Sequence, residues 1–182
     1  PKTQPETRKG RALADPMIYL NVTSVMALYD KEHTSLYEQR AAACAEEIIR
    51  YHFKPELGCT LETVSPDGAP MLDVTAGRVV NPGHDIECSW FLMERANQTG
   101  DKELHAKAVE IFDMAFEKGW DKEFGGIYYF MDALGKPHLE LQHNMKLWWV
   151  HNEATLACLY AYSVSKDQKC LDWFEKVDSW MW

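Results

Sequence analysis

Two blocks of this 182-residue sequence bring imidazole and carboxylate groups within a turn or so of each other. In Asn81-Pro82-Gly83-His84-Asp85-Ile86-Glu87, His84 and Glu87 are three apart, on one side of the first turn of a helix. In Lys146-Leu147-Trp148-Trp149-Val150-His151-Asn152-Glu153, a second histidine and glutamate stand near the start of another helix. A helix N-terminus favours carboxylates and disfavours a protonated imidazole. A histidine there is expected to stay neutral and to serve as a base near neutral pH. Trp148 and Trp149 add flat apolar faces of the kind that suits the C–H side of a sugar ring. Plainer roles fit the same residues: His84 and Glu87 as capping groups, His151 as a hydrogen-bonded core histidine, the two tryptophans as core. A metal on His84, Glu87, His151 and Glu153 is chemically allowed, but no His-x-x-x-His spacing supports one and none is assigned. His33, His52, His105 and His138 have no partner pattern and are expected in solvent; His143 stays unassigned.

Helices must position these groups, and the hydrophobic pattern supplies them in pairs. Asp15-Pro16 marks a helix start, and Met17 to Tyr29 is apolar on most sides, as in a helix buried all round. A second helix, from about Ser35 to Phe53, carries the one-sided stripe Tyr37, Ala41, Cys44, Ile48 and Tyr51. The pattern recurs twice. Asp85 to Asn97 contains the run Trp90-Phe91-Leu92-Met93 and is followed by a helix with Leu104, Ala108, Ile111 and Ala115 on one face. Met145 to Ser163 is followed by a helix with Leu171, Phe174, Val177 and Met181. His84 and His151, 67 positions apart, mark a structural repeat with little literal identity.

The connections are unequal. Turns within a pair are a few residues long, whereas the pairs are joined by about Lys54 to Gly83 and Lys118 to Asn144. Cys59 to Val64, Ser65-Pro66-Asp67-Gly68 and Gly126 to Phe130 look like short hairpins within those joins. All long loops then share one face with the N-termini of the three inner helices, as in an α/α toroid. The expected fold is all-α, an α/α toroid seen as a partial ring of about three helical hairpins with short β-hairpins in the long loops. Residues 1–182 read as a single domain, with 1–14 as a loop or arm.

Composition narrows the function classes. A hydrophobic content of 46% with 26% charged residues describes a globular chain. The net charge of −9 disfavours nucleic acid or an anionic membrane as the main partner. No apolar run approaches the roughly 18–20 residues of a membrane span, and no secretory signal is read at the start. Cys44, Cys59, Cys88, Cys158 and Cys170 are odd in number and lack a C-x-x-C pair, which disfavours a zinc cluster or a disulfide framework. Cys44, Cys88 and Cys158 are expected as small buried thiols, and a reducing, cytoplasmic compartment is expected.

Three blocks carry a family resemblance. Gly77-Arg78-Val79-Val80-Asn81-Pro82-Gly83-His84-Asp85-Ile86-Glu87 followed by Trp90-Phe91-Leu92 resembles the signature of the N-acylglucosamine 2-epimerase family, whose mammalian members are also called renin-binding protein. Gly119-Trp120-Asp121 with Gly125 to Phe130, and Met145 to Ala154, match it in order and spacing. The resemblance implies a ring of six helical hairpins, the (α/α)6 barrel type, of which this chain holds the second half minus its end. It implies His84 as one of two catalytic histidines, Glu87 and Glu153 as active-site carboxylates, and Trp149 as a sugar-stacking residue. Trp148, His151, Arg78 and Asn81 are expected to assist in binding substrate. The second histidine belongs to a Phe-His-Val-Pro-Arg type segment expected beyond Trp182, and an arginine from an early helix is likewise not in this sequence.

The implied reaction is interconversion of N-acetylglucosamine and N-acetylmannosamine, in amino-sugar and sialic-acid metabolism, by proton exchange at C2. No metal or redox cofactor enters that chemistry. ATP is implied as an allosteric activator rather than a reactant, although no P-loop is present. The partners implied are a small sugar and a second copy of the chain. A cellobiose 2-epimerase or an aldose–ketose isomerase of the same fold is the nearest alternative, and Asn81-Pro82 tilts the reading toward the N-acyl sugar. A non-catalytic sugar-binding or interaction fragment is the alternative from another class.

Overall fold

The computed structural model describes residues 10–138 and 140–182; most of the expected 1–14 arm lies outside the described residues. The helices pair as α1 (Ala14–Tyr29) with α2 (Thr34–Glu47), α3 (Pro82–Thr99) with α4 (Lys102–Gly119), and α5 (Trp148–Ser165) with α6 (Gln168–Met181). The short turns inside each pair leave no choice but antiparallel packing. Between α3 and α4 the chain reverses at Gly100, whose φ of 71° suits a residue without a Cβ. Asp101 then caps α4 by accepting the Leu104 N–H at 2.9 Å. α3 is the central element and packs against α1, α4 and α5.

Burial follows the hydrophobic pattern. Leu92, Met93, Ile111, Phe112 and Phe116 are fully buried between the helices, each stabilising the fold by about 1.5–3 kcal/mol relative to exposure. A second, smaller cluster of Cys59, Leu61, Val64, Val80 and Ala133 underlies the long loops. Those loops carry three two-stranded antiparallel pairs: β1 (Arg11–Ala12) with β4 (Thr63–Val64), β2 (Phe53–Lys54) with β3 (Cys59–Thr60), and β5 (Val79–Val80) with β6 (Met131–Asp132).

Several local expectations are corrected. The stretch Cys59–Val64 is not one hairpin; its two ends pair with different segments. Gly126–Phe130 contributes only a single bridge, Ile127 to Trp120. Arg11 and Ala12, expected in the arm, form a strand. Asp15 does not cap α1, because the helix begins at Ala14, two residues before Pro16, and Leu13 occupies the cap position. α1 is not buried all round either. Leu13, Pro16, Met17, Leu20, Ser24 and Ala27 face the interior, while Ile18, Tyr19, Val22, Met26 and Tyr29 are exposed. α2 ends at Glu47 and continues as a π-helical turn, Ile48–His52. That extra residue in the turn swings His52 inward, so His52 is fully buried rather than solvated, its Nδ1–H donating to the Leu61 carbonyl at 2.8 Å. Cys44 is half-buried, whereas Cys88 and Cys158 are buried as expected; no two cysteines are bonded among the described residues.

Candidate functional site

α3 shows one open stripe. From Asn81 to Ala96 every residue is buried except His84, Glu87, Trp90 and Glu94, which recur at i, i+3, i+6 and i+10 and so share one helix face. On α5, Trp149, Glu153 and Tyr160 are half-buried at i, i+4 and i+11, on the face turned to that stripe. The two stripes are brought together at the helix starts by Gly83. A Cβ there would stand 2.7 Å from Trp149 Cη2 and 2.8 Å from Val150 Cγ2, so only glycine lets the two N-termini approach this closely.

His84 lies at the mouth of this cleft. Its Nδ1–H donates to Glu62 Oε1 at 2.8 Å, and its ring centroid is 5.7 Å from that of Trp149. Burial works against its protonated form, but the Glu62 hydrogen bond and the negative charges of Glu62, Glu87 and Asp85 outweigh it, so the His84 pKa is raised above the ordinary histidine value. The helix N-terminus argument pointed the other way. Three carboxylates override the partial charge of the helix end.

Glu87 is pushed up from 4.5 to about 7, chiefly by burial and then by the like charge of Glu153, with His84 pulling the other way. It is therefore close to half-protonated near neutral pH. Glu153 accepts the Trp90 indole N–H at 2.7 Å, and Trp90 in turn stacks on Tyr160 with centroids 5.2 Å apart. The carboxylate hydrogen-bonded to the imidazole is Glu62 rather than Glu87 or Glu153.

The remaining expected residues divide. Of the two tryptophans, Trp149 stands beside His84, with Tyr129 edge-on to it at 6.4 Å; Trp148 is 75% exposed. His151 does not reach the cleft. It is completely buried, donates from Nδ1 to the Leu147 carbonyl at 2.7 Å, accepts the Ile127 N–H at Nε2 and stacks on Trp180. Arg78 is not available to a sugar: its side chain is buried, with Nε 2.8 Å from Asp132 Oδ2 and Nη1 on the Leu72 carbonyl. Asn81, 1% exposed, caps α3 by accepting the His84 N–H, so its side chain is spent on the backbone.

A one-residue offset explains the contrast between the two histidines. His84 is the third residue of α3, whereas His151 is the fourth of α5. One residue is about 100° of rotation. The true equivalents are Asp85 and His151, both buried, and Glu87 and Glu153, both facing the cleft. The repeat is 66 positions, not 67. Glu62 was missed as a site residue because no spacing rule links a loop carboxylate to a helix 22 positions later. Trp90 and Glu94 were legible, since they extend the His84–Glu87 spacing along the same face. Among the described residues, no group of three or more histidine, cysteine or acidic side chains is placed to hold a metal ion.

Comparison with known proteins agrees with this architecture. The sequence model of N-acylglucosamine 2-epimerase matches residues 3–182. The N-acylglucosamine 2-epimerase of Mus musculus is 39% identical over 166 residues, 91% of this chain and 39% of its own. This chain thus spans about two fifths of the length of the curated relatives it matches. Among solved structures, a D-mannose isomerase superposes with a TM-score of 0.76 at 21% identity, covering 100% of this chain and 44% of that one. The cellobiose 2-epimerase from Bacillus thermoamylovorans B4167 also gives 0.76, at 19% identity, over 98% of this chain and 43% of that one. The fold is that of the (α/α)6 type. No helix among the described residues is long and apolar enough to cross a membrane.

Proposed function

Because the chain belongs to the N-acylglucosamine 2-epimerase family, we propose that this protein interconverts N-acetylglucosamine and N-acetylmannosamine. The observation that carries the proposal is the cleft itself. One imidazole with an anchored Nδ1 and a raised pKa faces a carboxyl that titrates at about 7, beside an indole wall. In the open-chain sugar the C2 hydrogen is acidified by the neighbouring aldehyde. His84 Nε2 takes that proton, and the C–H electron pair passes into the C1–C2 bond, leaving the negative charge on O1. Glu87, close to half-protonated near neutral pH, can donate to O1 or to a ring oxygen during opening. A proton returned to the other face of C2 inverts the centre. The resemblance assigns that second group to a Phe-His-Val-Pro-Arg type segment, which this sequence does not contain.

Acid–base groups of this kind typically contribute about 10²–10⁴-fold each. The ATP effector, the homodimer and the amino-sugar role implied by the resemblance, and the cytoplasmic compartment expected from the cysteines, belong to the same proposal; ATP titration of turnover and light scattering test the first two. The central test uses the full-length protein in D₂O. Wild type places deuterium at C2 of the product, and His84→Asn loses turnover in both directions by about 10²-fold or more while staying folded. Near wild-type epimerisation by His84→Asn sinks the proposal. Turnover of free mannose or cellobiose in preference to the N-acyl sugars moves it to the isomerase or disaccharide reading.

A further inference from the structure

The segment that carries Glu62 is held by far more than its own strand pairing. Asp85 Oδ2 accepts the Thr60 N–H at 3.2 Å, from inside α3. The Leu61 N–H donates to the His52 carbonyl at 3.0 Å, and the Leu61 carbonyl accepts from His52 Nδ1 at 2.8 Å. The Glu62 N–H donates to Val79 at 3.1 Å, and the Glu62 carbonyl accepts the Leu13 N–H at 2.9 Å. Four separate parts of the chain thus fix three consecutive residues: the end of the π-helical turn, α3, β5 and the residue before α1. Leu61 is fully buried beneath them, as are His52 and Asp85. A surface loop whose only duty is connection has no need of buried polar partners on every side.

The single side chain that this framework directs at the cleft is Glu62. We infer that Glu62 is a positioning residue for His84, holding the proton on Nδ1 so that Nε2 is the nitrogen that exchanges a proton with the substrate. This rests on the proposed role of His84 and deepens it. The geometry supports the assignment on three counts. The contact is short, at 2.8 Å, and largely removed from water, with side-chain exposures of 25% and 16%, which strengthens a charge-assisted hydrogen bond. It acts on Nδ1, and a carboxylate can only accept, so the neutral ring is fixed as the Nδ1–H tautomer. When Nε2 takes a proton the ring becomes an imidazolium, and Glu62 is the nearest counter-charge. The proton moves only at Nε2; Nδ1 keeps its own proton and Glu62 stays an ionised carboxylate.

Two readouts test this in the full-length protein. The first is ¹⁵N NMR of the histidine rings, with the His84 signals identified by their loss in His84→Asn. The wild type is expected to show the Nδ1–H tautomer at high pH and a proton affinity above that of a free histidine. Glu62→Gln should lower the His84 proton affinity roughly tenfold or more, the low end of what one facing charge is worth. Glu62→Asp, which keeps the charge, should recover part of it. The second readout is turnover: in Glu62→Gln kcat should fall and the limb of the pH–rate profile that reports His84 should move to lower pH, with KM little changed. An unchanged His84 titration in Glu62→Gln, or an Nε2–H tautomer in the wild type, overturns the inference whatever the variant's activity. Loss of the proposed function has a separate signature, because an active His84→Asn would leave the NMR result standing. Should Glu62→Gln fail to fold, the wild-type tautomer alone decides.

Discussion

Replacing Glu87 by glutamine removes a charge that the fold holds at a cost. In the unfolded chain this carboxyl titrates near 4.5, and in the fold at about 7. Between those values the native state keeps a proton that the unfolded chain has released, so stability falls as pH rises from about 4.5 to about 7 and stays at the lower level above. At about 1.4 kcal/mol per pH unit the difference amounts to about 3 kcal/mol. Glu87 is only partly buried, and solvent screening reduces this to about 1–2 kcal/mol. Glu87→Gln in the full-length protein should therefore be more stable than wild type by about 1–2 kcal/mol near pH 8, with the difference vanishing near pH 4. Part of the cost comes from Glu153, so Glu153→Gln should recover some of the same stability, and the double variant should gain less than the two singles together. Urea unfolding midpoints across that pH range provide the assay, with turnover measured in parallel. Activity of Glu87→Gln should fall by about 10²-fold, a gain in stability obtained at the expense of function. A stability difference that does not change with pH, or a variant less stable than wild type near pH 8, refutes the reasoning.

Gly83→Ala should destabilise the protein by about 1–3 kcal/mol through overpacking, since its Cβ meets the Trp149 ring and the Val150 side chain, and should weaken substrate binding by displacing Trp149; denaturant unfolding and KM measure both. His151→Ala should cost about 2 kcal/mol or more, because it strands the buried Ile127 N–H and leaves the part-buried Leu147 carbonyl without its partner. Its KM should stay near wild type, and a raised KM with unchanged stability would return His151 to the sugar site.

Much of the fold was legible because its signals are local. Helix pairs followed from apolar periodicity, since Ala108, Ile111 and Ala115 on α4 can satisfy one buried face only as a helix. Short turns between unequal loops implied the alternation of inner and outer helices. The exposed face of α1 was misjudged for the same reason. Its sequence is apolar on both sides, and periodicity cannot say which neighbour covers which side.

The cleft divides along the same line. By sequence alone, His84 and Glu87 share a face, because a helix puts residues three apart on the same side whatever surrounds it. Sequence also carries the family blocks. Only the tertiary structure decided which of two similar histidines faces the cleft, since His151 stands one residue further into its helix than His84, and that residue turns it by about 100° into the core. It alone set the charge states: Glu87 reaches about 7 chiefly through burial and then through Glu153 on α5, and the His84 pKa is raised against burial chiefly by Glu62 in a loop. And it alone brought in Glu62, because hydrogen bonds with His52, Asp85, Val79 and Leu13 fix that loop in space. Electrostatics and burial depend on distances between segments far apart in the chain, and those distances exist only once the helices have packed.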